Sequence, residues 1–179
     1  MRRLPLVFAC FAILLSGGCA QPSAAPPGAA PSAIAPASAP VGKFDRAQKG
    51  KIVPGTSVEG VKLGISQAEV EKLLGKPEAV DRFSAQTYLS YYGKGLEVAL
   101  NDGKVGQITC HAKKDQWQAY PGGTSDGLWV GSPRADFEKA LSGERASSFP
   151  EALKYAARGL WIRFDKDGTT ESVSVLKPE

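Results

Sequence analysis

The chain has 179 residues, with 22 Lys+Arg, 18 Asp+Glu, one His and three Cys. With Arg2 and Arg3 in a cleavable leader, the mature chain carries 20 basic and 18 acidic residues, a net +2 that is too small for the dense basic surface of a nucleic-acid binder. A single His excludes a multi-histidine metal site, and Cys10, Cys19 and Cys110 have no zinc-ligand spacing.

Residues 1–18 have the three parts of a secretory signal: Arg2 and Arg3, an apolar run from Leu4 to Leu15 interrupted by Pro5, and the small residues Ser16, Gly17 and Gly18. The run is about half the length that spans a bilayer, so a permanent membrane helix is not expected. The stretch Leu15-Ser16-Gly17-Gly18-Cys19-Ala20 resembles the lipobox of bacterial lipoproteins, with Ser16 standing where the usual pattern has Leu. The resemblance implies lipidation of Cys19, and Ala20 after it implies an outer-membrane address facing the periplasm. The open alternative is a secreted protein with a free thiol near its start.

Between residues 20 and 42, 20 of 23 residues are Ala, Pro, Ser or Gly and none is charged. Such a composition cannot bury enough apolar surface to offset the entropy of ordering, so residues 19–42 read as a lipidated cysteine and a disordered linker. Fully extended at about 3.1 Å per residue, it would reach about 70 Å.

The rest is written twice. Pro54–Leu74 laid over Pro121–Leu141 gives eight identities in 21 positions without a gap. Leu89, Tyr91, Gly95 and Leu96 then match Leu153, Tyr155, Gly159 and Leu160. In the first copy Ser66 and Glu69 form an S-x-x-E capping box, and Gly75 with Pro77 ends the helix. In the second, Ser132 is expected to cap and Pro133 to take the first helical position. Three strands are expected to follow in each copy. They carry Leu89 and Tyr91, then Leu96, Val98 and Leu100, then Ile108 and Cys110, with their counterparts Leu153 and Tyr155, Leu160, Ile162 and Phe164, and Val173 and Val175. Period-two alternation of this kind means antiparallel sheet with one apolar face. Asn101-Asp102-Gly103 and Asp165-Lys166-Asp167-Gly168 are the hairpin signals. The expected fold is α+β: two tandem α-β-β-β repeats, module 1 at 43–111 and module 2 at 112–179, with short helices packed on antiparallel sheet.

The glycine pair Gly60 and Gly64, the apolar helix ending at Leu74-Gly75, Tyr91 and the turn from Asn101 to Ile108 together resemble the β-lactamase-inhibitor-protein-like superfamily, which includes the SmpA/OmlA (BamE) outer-membrane lipoproteins. The resemblance implies a binding module, either accessory to outer-membrane assembly or inhibitory toward a periplasmic or secreted enzyme. The Asn101–Gly103 hairpin is the candidate inhibitory loop.

Catalytic chemistry finds no constellation. Cys110 and His111 are adjacent on a strand, so their side chains point to opposite faces, and Cys110 stands where the other copy has Val175. His111 reads as an ordinary surface residue. Asp165 and Asp167 fall short of a calcium cage, and Glu69, Glu71, Asp136 and Glu138 read as a solvated helix face. No catalytic residue, metal site or small-molecule cofactor is expected, and the chain is not expected to be an enzyme.

What remains is a surface. If Leu96, Val98 and Leu100 face inward, then Tyr88, Tyr92, Glu97, Gln107, Thr109, Trp161 and Arg163 face outward. Tyr, Trp and Arg dominate binding hot spots, because they bury large areas at low entropic cost. Tyr88, Tyr92, Glu97, Trp161, Arg163 and Trp129 are therefore the candidate protein-binding residues. Trp117 and Tyr120 extend that patch or pack between the modules. The expected function is a lipid-anchored envelope module that binds another envelope protein; an enzyme inhibitor and a cell-wall tether stay open.

Overall fold

A computed structural model of the chain describes residues 50–179. The leader, Cys19 and the Ala/Pro-rich segment lie outside the described residues. The chain opens with a three-stranded meander, β1 (Ile52–Val53), β2 (Ser57–Val58) and β3 (Val61–Lys62). Helix α1 (Gln67–Leu74) follows, and then β4 (Ala79–Phe83), β5 (Gln86–Tyr91), β6 (Leu96–Asn101) and β7 (Lys104–His111). A link from 112 to 133 leads to α2 (Arg134–Ala140), β8 (Ser147–Phe149), β9 (Ala152–Tyr155), β10 (Leu160–Phe164) and β11 (Thr170–Leu176).

These last eight strands form one antiparallel sheet in the order β4-β5-β6-β7-β11-β10-β9-β8. The order is palindromic about the β7–β11 pair, whose register sets Val173 against Cys110 and Val175 against Ile108. The expected α+β fold of two α-β-β-β repeats is thus corrected. The protein is mainly β, with two helices of 8 and 7 residues. Four strands follow each helix rather than three, and all eight join into one sheet. The two unforeseen strands, β4 and β8, are the sheet's edges. Their outer flanks have no strand partner among the described residues, and β8 is exposed throughout, so neither carries a continuous apolar alternation.

One hydrophobic core serves both halves. Leu89, Tyr91, Leu96, Val98, Ile108 and Cys110 join Leu153, Leu160, Ile162, Phe164, Val173 and Val175 on one face of the sheet, all at most 3% exposed. Val70 of α1 and Phe137 of α2 are fully buried against it, and Phe137 meets Phe164 edge-on at 6.1 Å. Burying each such side chain contributes about 1.5–3 kcal/mol.

The Ser66 box forms as its spacing requires: Ser66 Oγ accepts from Glu69 N–H, and the Glu69 carboxylate accepts from Ser66 N–H at 2.8 Å. The second helix is capped differently. Pro133 itself is the N-cap, and Ser132 Oγ turns back to accept from Trp129 N–H. Asp102 and Gly103 both have positive φ, closing β6 onto β7 in two residues.

Candidate functional site

The sheet face opposite the core carries a polar floor with an aromatic rim. One register row runs Glu97, Thr109, Ser174, Trp161, Lys154 across five strands. The next outward row runs His111, Ser172, Arg163, Ala152. Small hydroxyl residues form the centre: Thr109, Ser172 and Ser174 are at most 7% exposed, overshadowed by longer neighbours. Two of these hydroxyls are matched locally. Thr109 Oγ1 and Ser174 Oγ lie 3.0 Å apart, and Gln107 Nε2 donates to both, at 3.0 and 3.2 Å. Glu97 is half-buried, and its carboxyl pKa is raised by desolvation and by the nearby negative charge of Asp81.

Trp161 stands out of this face, 39% exposed, and Arg163 beside it is exposed with no acceptor among the described residues. Arg134 and Arg158, by contrast, are both engaged. Arg134 clasps Glu138, Ser148 and the Phe149 and Pro150 carbonyls, and Arg158 holds Asp126 and Glu144.

Where the His111 row meets the link, the face ends in a cleft of about 270 Å³. Its walls and floor include His111, Trp117, Arg163 and Ser172. The cleft exists because residues 114–117 turn back on themselves, Lys114 and Trp117 bonding through their backbones, which lays the indole over the sheet. The Trp117 ring stacks on His111 at 4.0 Å and 19°, and Tyr92 meets Trp117 edge-on at 4.6 Å. Glu171 reaches the cleft through a bulge. It is the extra residue between the Arg163–Ser172 and Phe164–Thr170 pairs, and its carboxylate pairs with Lys114 at the lip.

His111 therefore differs from the surface residue expected of it. It is half-buried, its Nε2 has no hydrogen-bond partner among the described residues, and desolvation lowers its pKa to about 4 despite the opposing pull of Glu171. Cys110 points the other way, fully buried in the core, and burial pushes its thiol pKa well up.

The six candidate binding residues do not form one patch. Trp161 and Arg163 are neighbours on β10, and Tyr92 joins Arg163's cleft only through Trp117. Glu97 lies in the Trp161 row but two strands beyond Ser174. Tyr88 sits toward the β4 edge, edge-on to Phe83 at 5.9 Å and donating to Gln86. Trp129 belongs to the link, bridged to Gly123, and is on no strand of the large sheet. Trp117 is half-buried as the cleft wall, whereas Tyr120 is 1% exposed and donates to Glu59. Lys114, Trp117 and Glu171 were not legible as a group. The turn-forming run Lys114-Asp115-Gln116-Trp117 was the available signal.

No protein-family model matches the chain, and no curated protein matches it. Among solved structures, it is similar to an extracellular protein containing an SCP domain from Bacillus anthracis str. Ames, at 13% identity and a TM-score of 0.45 over 64% of this chain and 44% of that one. It is also similar to a cysteine-rich secretory protein from Staphylococcus aureus subsp. aureus Mu50, at 14% identity and a TM-score of 0.45 over 72% of this chain and 49% of that one. The chain thus spans less than half the length of either.

Proposed function

We propose that the chain is a lipid-anchored envelope protein whose domain binds another protein through the open sheet face and has no enzymatic chemistry of its own. The observation that carries the reading is the exposed pair Trp161 and Arg163 on β10, an amphipathic aromatic and an unengaged guanidinium set over a floor of satisfied hydroxyls. Such a pair offers hot-spot area on a rigid element. The anchor rests on the lipobox-like run Leu15–Ala20, which also favours the outer membrane facing the periplasm. Cys110 and His111 lie on opposite sides of the sheet and cannot exchange a proton, so the reading assigns them no catalytic role. Inhibition by insertion of the Asn101–Gly103 hairpin is less favoured, because that turn is two residues long and projects no loop.

The test is crosslinking capture from native envelopes with wild type beside Trp161→Ala. A partner held by wild type and lost by the variant supports the reading; equal capture by both overturns the sheet-face assignment. Metabolic labelling with palmitate, lost in Cys19→Ser, tests the anchor separately.

A further inference from the structure

We infer that the cleft between the Lys114–Trp117 turn and β10 is a receptor for a single carboxylate, and that on the binding face proposed above it takes an acidic side chain of the protein partner. The identification of the occupant with a partner rests on that reading; the carboxylate site does not.

Three observations converge. First, the two cations of the cleft differ: Lys114 has two carboxylates nearby, Glu171 and Asp115, and Arg163 has none bonded to it among the described residues. Lys114 is neutralised by Glu171 through a direct pair. The guanidinium fork fits a carboxylate in a two-bond geometry. Second, the valence of the ligand is limited. Glu171 and Asp115 both line the cleft, so a phosphate carrying about −1.5 to −2 charges would be repelled more strongly than a monoanion. Third, the recess has one aromatic wall in an otherwise polar lining. Trp117 is held between His111 and Tyr92, giving a rigid aromatic surface for the ligand's aliphatic stem beside the cation.

The test uses the full chain with Trp indole and His111 ring resonances as reporters. N-acetyl-glutamate α-amide is titrated beside its neutral glutamine counterpart and inorganic phosphate. Saturable shifts at the Trp117 indole and His111 ring are expected with the glutamate probe, with half-saturation on the order of 1 mM. The glutamine probe should bind at least about tenfold more weakly, and so should the glutamate probe to Arg163→Gln. Arg163→Lys, which keeps the charge but loses the fork, should fall between. Equal binding of the two probes, unchanged binding by Arg163→Gln, or no saturable shift in wild type overturns the site. Tighter binding of phosphate overturns the carboxylate assignment. If the carboxylate binds as described while partner capture is unaffected by Arg163→Gln, the site stands and its use by the partner is refuted.

Discussion

Replacing Gly159 by Ala tests how closely the chain is packed at the end of the second half. Gly159 follows the 3-10 turn Ala156–Arg158 with φ 65° and ψ 39°, a left-handed conformation. A Cβ there would fall inside the contact radius of the Leu176 carbonyl oxygen and 2.7 Å from Gly55 Cα. Both neighbours are backbone, and Leu176 N–H donates to the Gly159 carbonyl at 2.9 Å, so retreat breaks a bond. The left-handed conformation costs an Ala about 1–2 kcal/mol, of which about 0.4–1 kcal/mol is offset by a stiffer unfolded chain. Forced displacement of packed neighbours adds about 1–3 kcal/mol. The net loss is about 2–4 kcal/mol, a fall of roughly 10 °C in Tm for a domain of this size. Gly168→Ala is the control, because Gly168 has φ 76° but nothing within 4 Å of its Cβ position. It should lose only about 1 kcal/mol. Urea denaturation followed by Trp fluorescence measures both. Equal losses would refute the close-approach argument and leave backbone conformation as the whole effect.

Acidification should destabilise the protein through His111. Its folded pKa of about 4 lies below the unfolded value near 6.5, so the unfolded chain takes up the proton first and stability falls between those pH values, by about 2–3 kcal/mol. The chain has one His, so its ring resonance titrates alone; a midpoint near 6.5 in the folded protein, or the same pH slope in His111→Asn, would refute this. Val70→Asp places a charge at a fully buried position and should cost several kcal/mol, enough to abolish the cooperative circular-dichroism melt of a domain with about 5–15 kcal/mol in hand. Trp161→Ala removes a side chain outside the core and should change stability by about 1 kcal/mol or less in the same assay. A larger loss would mean the indole is structural.

The parts of the fold legible from sequence were those in which local chemistry and tertiary burial agree. Leu96, Val98 and Leu100 alternate with polar residues because one face of β6 meets the core, and that alternation survives in any arrangement that buries them. Ser66, Glu69, Asp102 and Gly103 act within a few residues of themselves, so their roles needed no knowledge of the rest. β4 and β8 were not legible. Ala79-Val80-Asp81-Arg82-Phe83 and Ser147-Ser148-Phe149 become strands by pairing with β5 and β9 rather than by burying a stripe. Alternation separates the inward from the outward residues of β6, β7 and β10, but the grouping of outward residues depends on strand order. That order sets β7 against β11 and so brings His111 beside Ser172 and Arg163, which are more than 50 positions away in the chain. Trp129 was misplaced for the converse reason: its counterpart Lys62 lies on β3, outside the large sheet, and so does it.

The approach of Gly55 to the C-terminal segment has a topological consequence. A Cβ on Gly55 would lie 2.7 Å from Pro178 Cγ, so the first and last segments of the domain touch. A domain whose first and last segments meet is nearly a closed ring, and the position of its opening is then a matter of covalent convenience. Joining residue 179 to residue 50 by a short linker, and cutting at the exposed Asp102–Gly103 turn, would give a circular permutant with every strand pair intact. In that permutant β6 and β7 would no longer be consecutive, yet the β7–β11 seam would form as before. The architecture is carried by the seam and the shared core, and the chain order is one of several that could trace it.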